Sequence, residues 1–248
     1  MNAVAQSPNL PYVTHSAEFS RARRLALVSA SPLFSGLSLN ECSEIASRSE
    51  ARYFGNNELL FMQGEPSLHL VVVQTGSIKL TQLSPCGLEV VLWVAAIGEL
   101  VALPTGSLIY QHTCSARAMT DCTVLVWDSK RLECLLEKFP RFRRNIGCIL
   151  SDRLKSLEER FRVVATEMAP QRLAFALLRL VKQTGRQAFG GTEVSFTREE
   201  LAQMTGTTVF TVSRLLSKWS EERIVLSRRE AVVILDIERL KRLREQKS

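Results

Sequence analysis

Thr197-Arg-Glu-Glu-Leu-Ala-Gln-Met-Thr-Gly206-Thr-Thr-Val-Phe-Thr-Val-Ser-Arg214-Leu-Leu-Ser-Lys-Trp219 is the stretch on which the reading of this chain turns. Thr197 followed by Glu200 is a capping box: the hydroxyl accepts from the third helical amide and the carboxylate reaches back to the cap. A helix therefore starts here, carries Leu201, Ala202 and Met204, and stops at Gly206, which can supply the left-handed backbone of a sharp turn. Thr207 or Thr208 caps a second helix, whose inner face is Val212, Leu215, Leu216 and Trp219. Two short helices about a tight glycine turn make a helix-turn-helix. The second helix of that motif enters the DNA major groove with its N-terminal residues toward base edges. The candidate base readers are Val209, Phe210, Ser213 and Arg214, Arg214 having the fork that guanine O6 and N7 accept. Thr197, Arg198, Thr208, Thr211 and Lys218 are the candidate phosphate contacts.

Downstream, Ile224–Leu226 and Ala231–Leu235 flank Ser227-Arg-Arg-Glu230, a two-stranded wing with Arg228 and Arg229 at its tip, near backbone phosphate. Asp236 can cap a last helix running from Ile237 to about Gln246. Upstream, Leu150, Leu154, Leu157, Phe161, Val164 and Met168 step by 4, 3, 4, 3 and 4 with charged residues between them. That narrow stripe is a heptad seam of the kind two chains share. A helix over residues 140–165 would be roughly 39 Å long. Ala169-Pro170 breaks it, and Pro170 suits the first turn of a new helix through about Lys182.

Between Asn57 and Asp128 the texture is different. Leu68–Gln74, Ile78–Leu83, Glu89–Ala95 and Thr123–Trp127 are short apolar runs, and glycines at 64, 76, 87 and 98 punctuate the region. Antiparallel strands joined by tight turns are predicted, closing into a β-roll or small barrel. The fold class is α+β. An N-terminal arm covers residues 1–32, helical around Phe19 to Val28; a β-roll sensor domain covers 33–139, a dimerisation helix 140–167, and a winged helix-turn-helix domain 168–248.

The net charge of +7 is concentrated at the C-terminal end, where residues 168–248 hold 15 Lys and Arg against nine Asp and Glu. A basic domain beside a near-neutral one points to a polyanion for the former alone. With 46% hydrophobic residues, the 248-residue chain can bury full cores. The longest apolar stretch, Val90 to Leu103, is broken by Gly98 and Glu99 and falls short of the roughly 20 residues a bilayer crossing needs. The first twenty residues lack a secretory pattern, so a cytoplasmic location without membrane attachment is expected. Cys42, Cys86, Cys114, Cys122, Cys134 and Cys148 have no Cys-x-x-Cys pair and read as reduced, mostly buried thiols. An enzyme is not expected: there is no Gly-x-Ser-x-Gly, no phosphate loop and no His-Glu-x-x-His. Gly98-Glu99 alone could suggest a cupin, but the three histidines of the chain form no cupin cluster.

Pro32-Leu-Phe-Ser-Gly-Leu37, Gln63-Gly-Glu65, Gly76-Ser-Ile-Lys79, Ile97-Gly-Glu-Leu100, Met168-Ala-Pro-Gln-Arg-Leu173 and the helix-turn-helix together resemble the Crp/Fnr superfamily, over roughly residues 30–235. The resemblance implies a homodimer on double-stranded DNA, reading a palindromic operator under control of a signal in the β-roll. An activator would add RNA polymerase as a partner. The rival reading is a cyclic-nucleotide-binding-type interaction module without operator specificity, which the attached helix-turn-helix weakens. Val209-Phe-Thr-Val-Ser-Arg214 resembles the Fnr branch, with Phe210 where a base-reading Glu usually stands; Phe210 can touch only a thymine methyl.

By the same resemblance, an effector pocket would involve Gly98, Glu99, Leu100, His112, Thr113, Leu157 and Glu158. Gly98-Glu99 matches the ribose-binding pair of the cyclic-nucleotide branch. His112-Thr113 stands where Arg-Ser is expected, so no arginine is left for a cyclic phosphate. No cysteine precedes Cys42, which argues against an N-terminal iron-sulfur cluster. Three signals stay open: haem, with His69 or His112 as axial ligand; thiol oxidation at Cys114 or Cys122; and a small organic ligand or constitutive activity. Calorimetric titration with cyclic AMP is expected to show no affinity in the micromolar range, and binding that tight would contradict this reading of His112-Thr113.

Overall fold

The computed structural model describes residues 17–104, 110–188 and 190–245. The expected arm up to residue 16 and the end of the last helix at Gln246 lie outside the described residues. The elements run α1 (Ala17–Ala30), α2 (Leu39–Ser47), β1 (Glu50–Phe54), β2 (Leu59–Phe61), β3 (His69–Thr75), β4 (Ile78–Leu83), β5 (Glu89–Ala95), β6 (Leu100–Ala102), β7 (Ser115–Ala118) and β8 (Cys122–Asp128). Then follow α3 (Ser129–Lys138), α4 (Pro140–Thr166), α5 (Ala169–Thr184), β9 (Arg186–Ala188) and β10 (Gly191–Val194). The chain continues with α6 (Arg198–Thr205), α7 (Val209–Glu221), β11 (Val225–Ser227), β12 (Val232–Ile234) and α8 (Ile237–Glu245). Among the described residues, those up to 78, 97–112 and 116–146 form one compact unit, and those in 79–96, 113–115 and from 147 on form another.

The first unit is built on an antiparallel sheet in the order β1-β8-β3-β6. Central β8 pairs with β1 from Glu50↔Val126 to Phe54↔Cys122, and with β3 from His69↔Asp128 onward. Beside it, β2 pairs with β7 through Leu59↔Arg117 and Phe61↔Ala116. Leu70 to Val73 are all buried without alternation, as befits a strand covered on both faces. The core gathers about Trp127, which is fully buried and lies 5.9 Å from Phe34, itself 5.0 Å from Phe142. Its indole N–H donates to the Ile45 carbonyl at 2.9 Å, which ties β8 to α2. Helix α2 starts at a second capping box, Ser38 with Glu41, whose signature is as plain in the sequence as that of Thr197 and Glu200.

In the second unit, β4 and β5 form a hairpin closed by the Ser84 and Leu88 backbones, with Gly87 at φ 83°. From residue 147 on, α4 carries Val163 as its buried side chain, while Leu150, Leu154, Leu157, Phe161 and Val164 are all exposed, Phe161 to 77%. Helix α5 starts at Ala169 with Pro170 in its first turn, as expected, and buries Leu173, Ala174, Ala176, Leu177 and Leu180. The sheet order β11-β12-β10-β9 adds a hairpin, β9 with β10, to the expected wing of β11 and β12. Asp236 does cap α8, accepting from the Arg239 amide at 2.9 Å.

The expectation of mostly buried thiols is corrected. All six cysteines are free; Cys42 and Cys122 are buried and Cys114 half-buried, whereas Cys86, Cys134 and Cys148 are exposed. Cys86 sits in the β4–β5 turn and the other two on the outer faces of α3 and α4, placements that spacing cannot report. Among the described residues no helix is long and apolar enough to cross a membrane.

Replacing Trp127 by Phe removes packing volume and one of the two donors of the Ile45 carbonyl, which keeps the Arg48 amide at 3.2 Å. Urea unfolding followed by circular dichroism should show a loss of about 2–4 kcal/mol, and a neutral result would contradict the role given to this side chain.

Candidate nucleic-acid interface

Helix α6 begins as its sequence requires. The Thr197 hydroxyl accepts from the Glu200 amide at 3.1 Å and donates to the Glu200 carboxylate at 3.1 Å, which also accepts from the Thr197 amide at 2.9 Å. The helix ends at Gly206, whose φ of 58° and ψ of 43° are left-handed. Here glycine is needed for conformation, since a left-handed α residue with a Cβ pays about 1–2 kcal/mol. Two residues on, Thr208 caps α7 by accepting from the Thr211 amide at 3.1 Å.

Helix α7 is anchored by Val212, Leu215, Leu216 and Trp219, all buried. That stripe leaves its N-terminal half facing out: Val209 is exposed, Phe210 is 76% exposed, Arg214 is exposed and Ser213 half-buried. Among the described residues the side chains of Arg214, Lys218 and Arg229 have neither hydrogen bond nor ion pair, so their donors are open to a ligand.

The other phosphate candidates are already engaged in part. The Thr197 hydroxyl proton goes to Glu200, and the Thr208 and Thr211 hydroxyls lie 2.9 Å apart. Arg198 donates to the Ser227 hydroxyl at 3.2 Å, which links the start of α6 to the wing. Arg228 pairs with Glu193 on β10 at 2.7 Å. These contacts hold the wing and the helix pair in one register.

Three contacts of this unit have no local signal in the sequence. Lys79 on β4 pairs with Glu200 at 2.6 Å, with side-chain exposures of 17% and 15%. Arg160 on α4 donates to the Val91 and Leu92 carbonyls. Arg172 on α5 donates to the Gly206 carbonyl at 3.2 Å. Each joins residues more than thirty positions apart, beyond the reach of any periodicity.

The residues considered for an effector are placed as follows. In the first unit, Gly98 (φ 82°) donates to the Val73 carbonyl at 2.9 Å, the Val73 amide donates to Glu99 at 3.1 Å, and the buried Ser31 hydroxyl donates to the Gly98 carbonyl at 2.7 Å. Leu100 is buried in β6. The His112 ring stacks on Phe61 with centroids 3.6 Å apart. Burial holds both His69 and His112 below the usual imidazole range, against a smaller upward pull of Glu65 on His112. In the second unit, Thr113, Leu157 and Glu158 are exposed. Burial raises the Cys114 thiol and, with Glu58 and Asp121, pushes Cys122 up to about 12. Both candidate redox cysteines are therefore protonated and weakly nucleophilic at neutral pH.

A β-roll joined to a winged helix-turn-helix defines a class, the two-domain transcription regulator that binds DNA. Residues 51–139 match the cyclic nucleotide-binding domain and residues 171–243 the Crp-like helix-turn-helix domain. The Cyclic AMP receptor protein of Thermus thermophilus is 29% identical over 195 residues, 79% of this chain and 88% of that one. The Transcriptional activator protein Anr of Pseudomonas protegens is 27% identical over 215 residues, 84% and 87% of the two chains. The structure of FixK2 from Bradyrhizobium japonicum superposes with a TM-score of 0.70 at 21% identity, covering 81% of this chain and 99% of that one. The chain belongs to the Crp/Fnr family of transcription regulators and carries that family's DNA-binding helix-turn-helix.

Removing one member of a poorly exposed ion pair leaves the other charge desolvated and unmatched. Lys79→Ala should therefore destabilise the second unit by about 3 kcal/mol, read as a fall in the urea midpoint of Trp219 emission. A Glu200→Gln background should cancel part of that loss, and additivity of the two changes would disprove the coupling.

Proposed function

We propose that the chain binds DNA as a homodimer, each protomer setting α7 into the major groove of one half of a palindromic operator. A signal received by the β-roll controls the binding, and the setting is the cytoplasm. The observation that carries the reading is the outward half of α7, where Phe210 and Arg214 project from a helix fixed by four buried side chains. Val209, Phe210, Ser213 and Arg214 read base edges, and Arg214 takes guanine bidentately. Thr208, Thr211, Lys218 and Arg229 supply phosphate contacts, with Thr197, Arg198 and Arg228 helping from their engaged positions.

The dimer reading rests on the stripe of Leu150, Leu154, Leu157, Phe161 and Val164, apolar, at heptad spacing and exposed in the single chain. Two-fold symmetry would place half-sites about one helical turn apart. One relative carries cyclic AMP in its name, but the absence of an arginine at His112-Thr113 argues for a different effector in this chain. An activator role, as in the name of the second relative, would make RNA polymerase a further partner.

The test is operator selection from random duplexes, followed by gel-shift of variants. Arg214→Ala should weaken the selected site about tenfold or more and relax preference at one base pair while leaving the dimer intact. Leu154→Glu should give a monomer in sedimentation and abolish tight binding to the full palindrome. Unchanged base preference in the first variant, or a wild-type chain that sediments as a monomer on its operator, would overturn the proposal.

A further inference from the structure

Along its outward side, α7 carries the means to recognise some base edges and lacks the means to recognise others. From Val209 to Trp219 it holds no Asp, Glu, Asn or Gln, the side chains that accept from the cytosine amino group or pair twice with adenine. The Thr208 and Thr211 hydroxyls lie 2.9 Å apart and share one bond, and the Thr208 oxygen also accepts from the Thr211 amide. A hydroxyl such as that of Ser213 bonds to donor or acceptor alike and so discriminates little. Two kinds of selective group remain. The open fork of Arg214 suits guanine, while Val209 and Phe210 are apolar, with exposures of 44% and 76%.

On the floor of the major groove the apolar group is the methyl at C5 of a pyrimidine. Thymine has it, and cytosine acquires the same group in the same place when it is methylated. Covering that methyl takes apolar area of both partners out of water. Phe210 and Arg214 stand four residues apart in α7, on one side of the helix and about 6 Å from each other along its axis. Base pairs stack about 3.4 Å apart, so the two side chains reach positions about two base pairs from one another.

We propose that α7 recognises a 5-methylpyrimidine: Phe210, with Val209 beside it, covers a C5 methyl about two base pairs from the guanine that Arg214 takes. Thymine and 5-methylcytosine are then preferred at that position over uracil and unmodified cytosine, and cytosine methylation becomes a mark to which operator binding responds. The inference rests on the reading of α7 as a major-groove helix and adds the chemistry by which that helix chooses.

The test is fluorescence anisotropy of the full-length protein on the selected operator, with each thymine replaced in turn by deoxyuridine in both half-sites, a change that removes the methyl and nothing else. At one position, about two base pairs from the guanine whose preference Arg214→Ala relaxes, binding should weaken about fourfold per half-site, the worth of one buried methyl. A 5-methylcytosine there should bind tighter than cytosine by a similar factor. Phe210→Ala should bind the thymine and uracil duplexes equally, and Phe210→Leu, which keeps an apolar side chain, should retain part of the discrimination. Equal binding of thymine and uracil at every position, a methyl response undiminished in Phe210→Ala, or a selected site with no thymine near that guanine would overturn the proposal. If Arg214→Ala still relaxes one base pair in those cases, the groove reading stands; if Arg214→Ala changes nothing, both fall.

Discussion

The Glu200 carboxylate is the contact on which the arrangement of the second unit depends. It accepts from the Thr197 amide and hydroxyl and from Lys79, so a single poorly exposed charge caps α6 and ties that helix to β4. A carboxylate so placed is stable because both of its oxygens meet donors, one of them a charge. Its position starts α6 at Arg198, the short length of α6 puts Gly206 where the chain must turn, and the turn aims α7. The outward direction of Phe210 and Arg214 is thus inherited from a cap at Thr197, twelve residues before α7 begins at Val209.

Below that cap, the load is carried by packing. Val212, Leu215, Leu216 and Trp219 bury one stripe of α7, and fixing four side chains on one side is what leaves the other side free of partners. The contrast with Arg198 and Arg228 is informative. Those arginines spend donors on Ser227 and Glu193, and so stabilise the wing, whereas Arg214, Lys218 and Arg229 keep theirs. Bonded and open arginines are chemically identical, and the division between them is made by what lies within reach.

Much of this was legible in the residues. The capping boxes, Gly206, the buried stripe of α7, the wing and the strands at 78–83 and 89–95 all follow from local rules, and so does the 27-residue α4. The strands with weaker texture escaped. Glu50–Phe54 carries polar and aromatic residues at an edge, Ser115–Ala118 is three small residues and an arginine, and both are strands because β8 and β2 offer them a ladder. Thiol exposure escaped as well, since Cys86, Cys134 and Cys148 owe it to the direction of a turn or a helix face.

By itself the sequence determined the elements and their order, because capping, turn formation and periodic burial act over a few residues and leave their pattern in the chain. It also determined the helix-turn-helix and the residues that its second helix presents. The tertiary structure decided which partners the charges meet: Lys79 with Glu200, Arg172 with Gly206, and Arg160 with the Val91 and Leu92 carbonyls. Those contacts join positions distant along the chain, and electrostatic partners at that separation are chosen by packing, for which linear spacing holds no record.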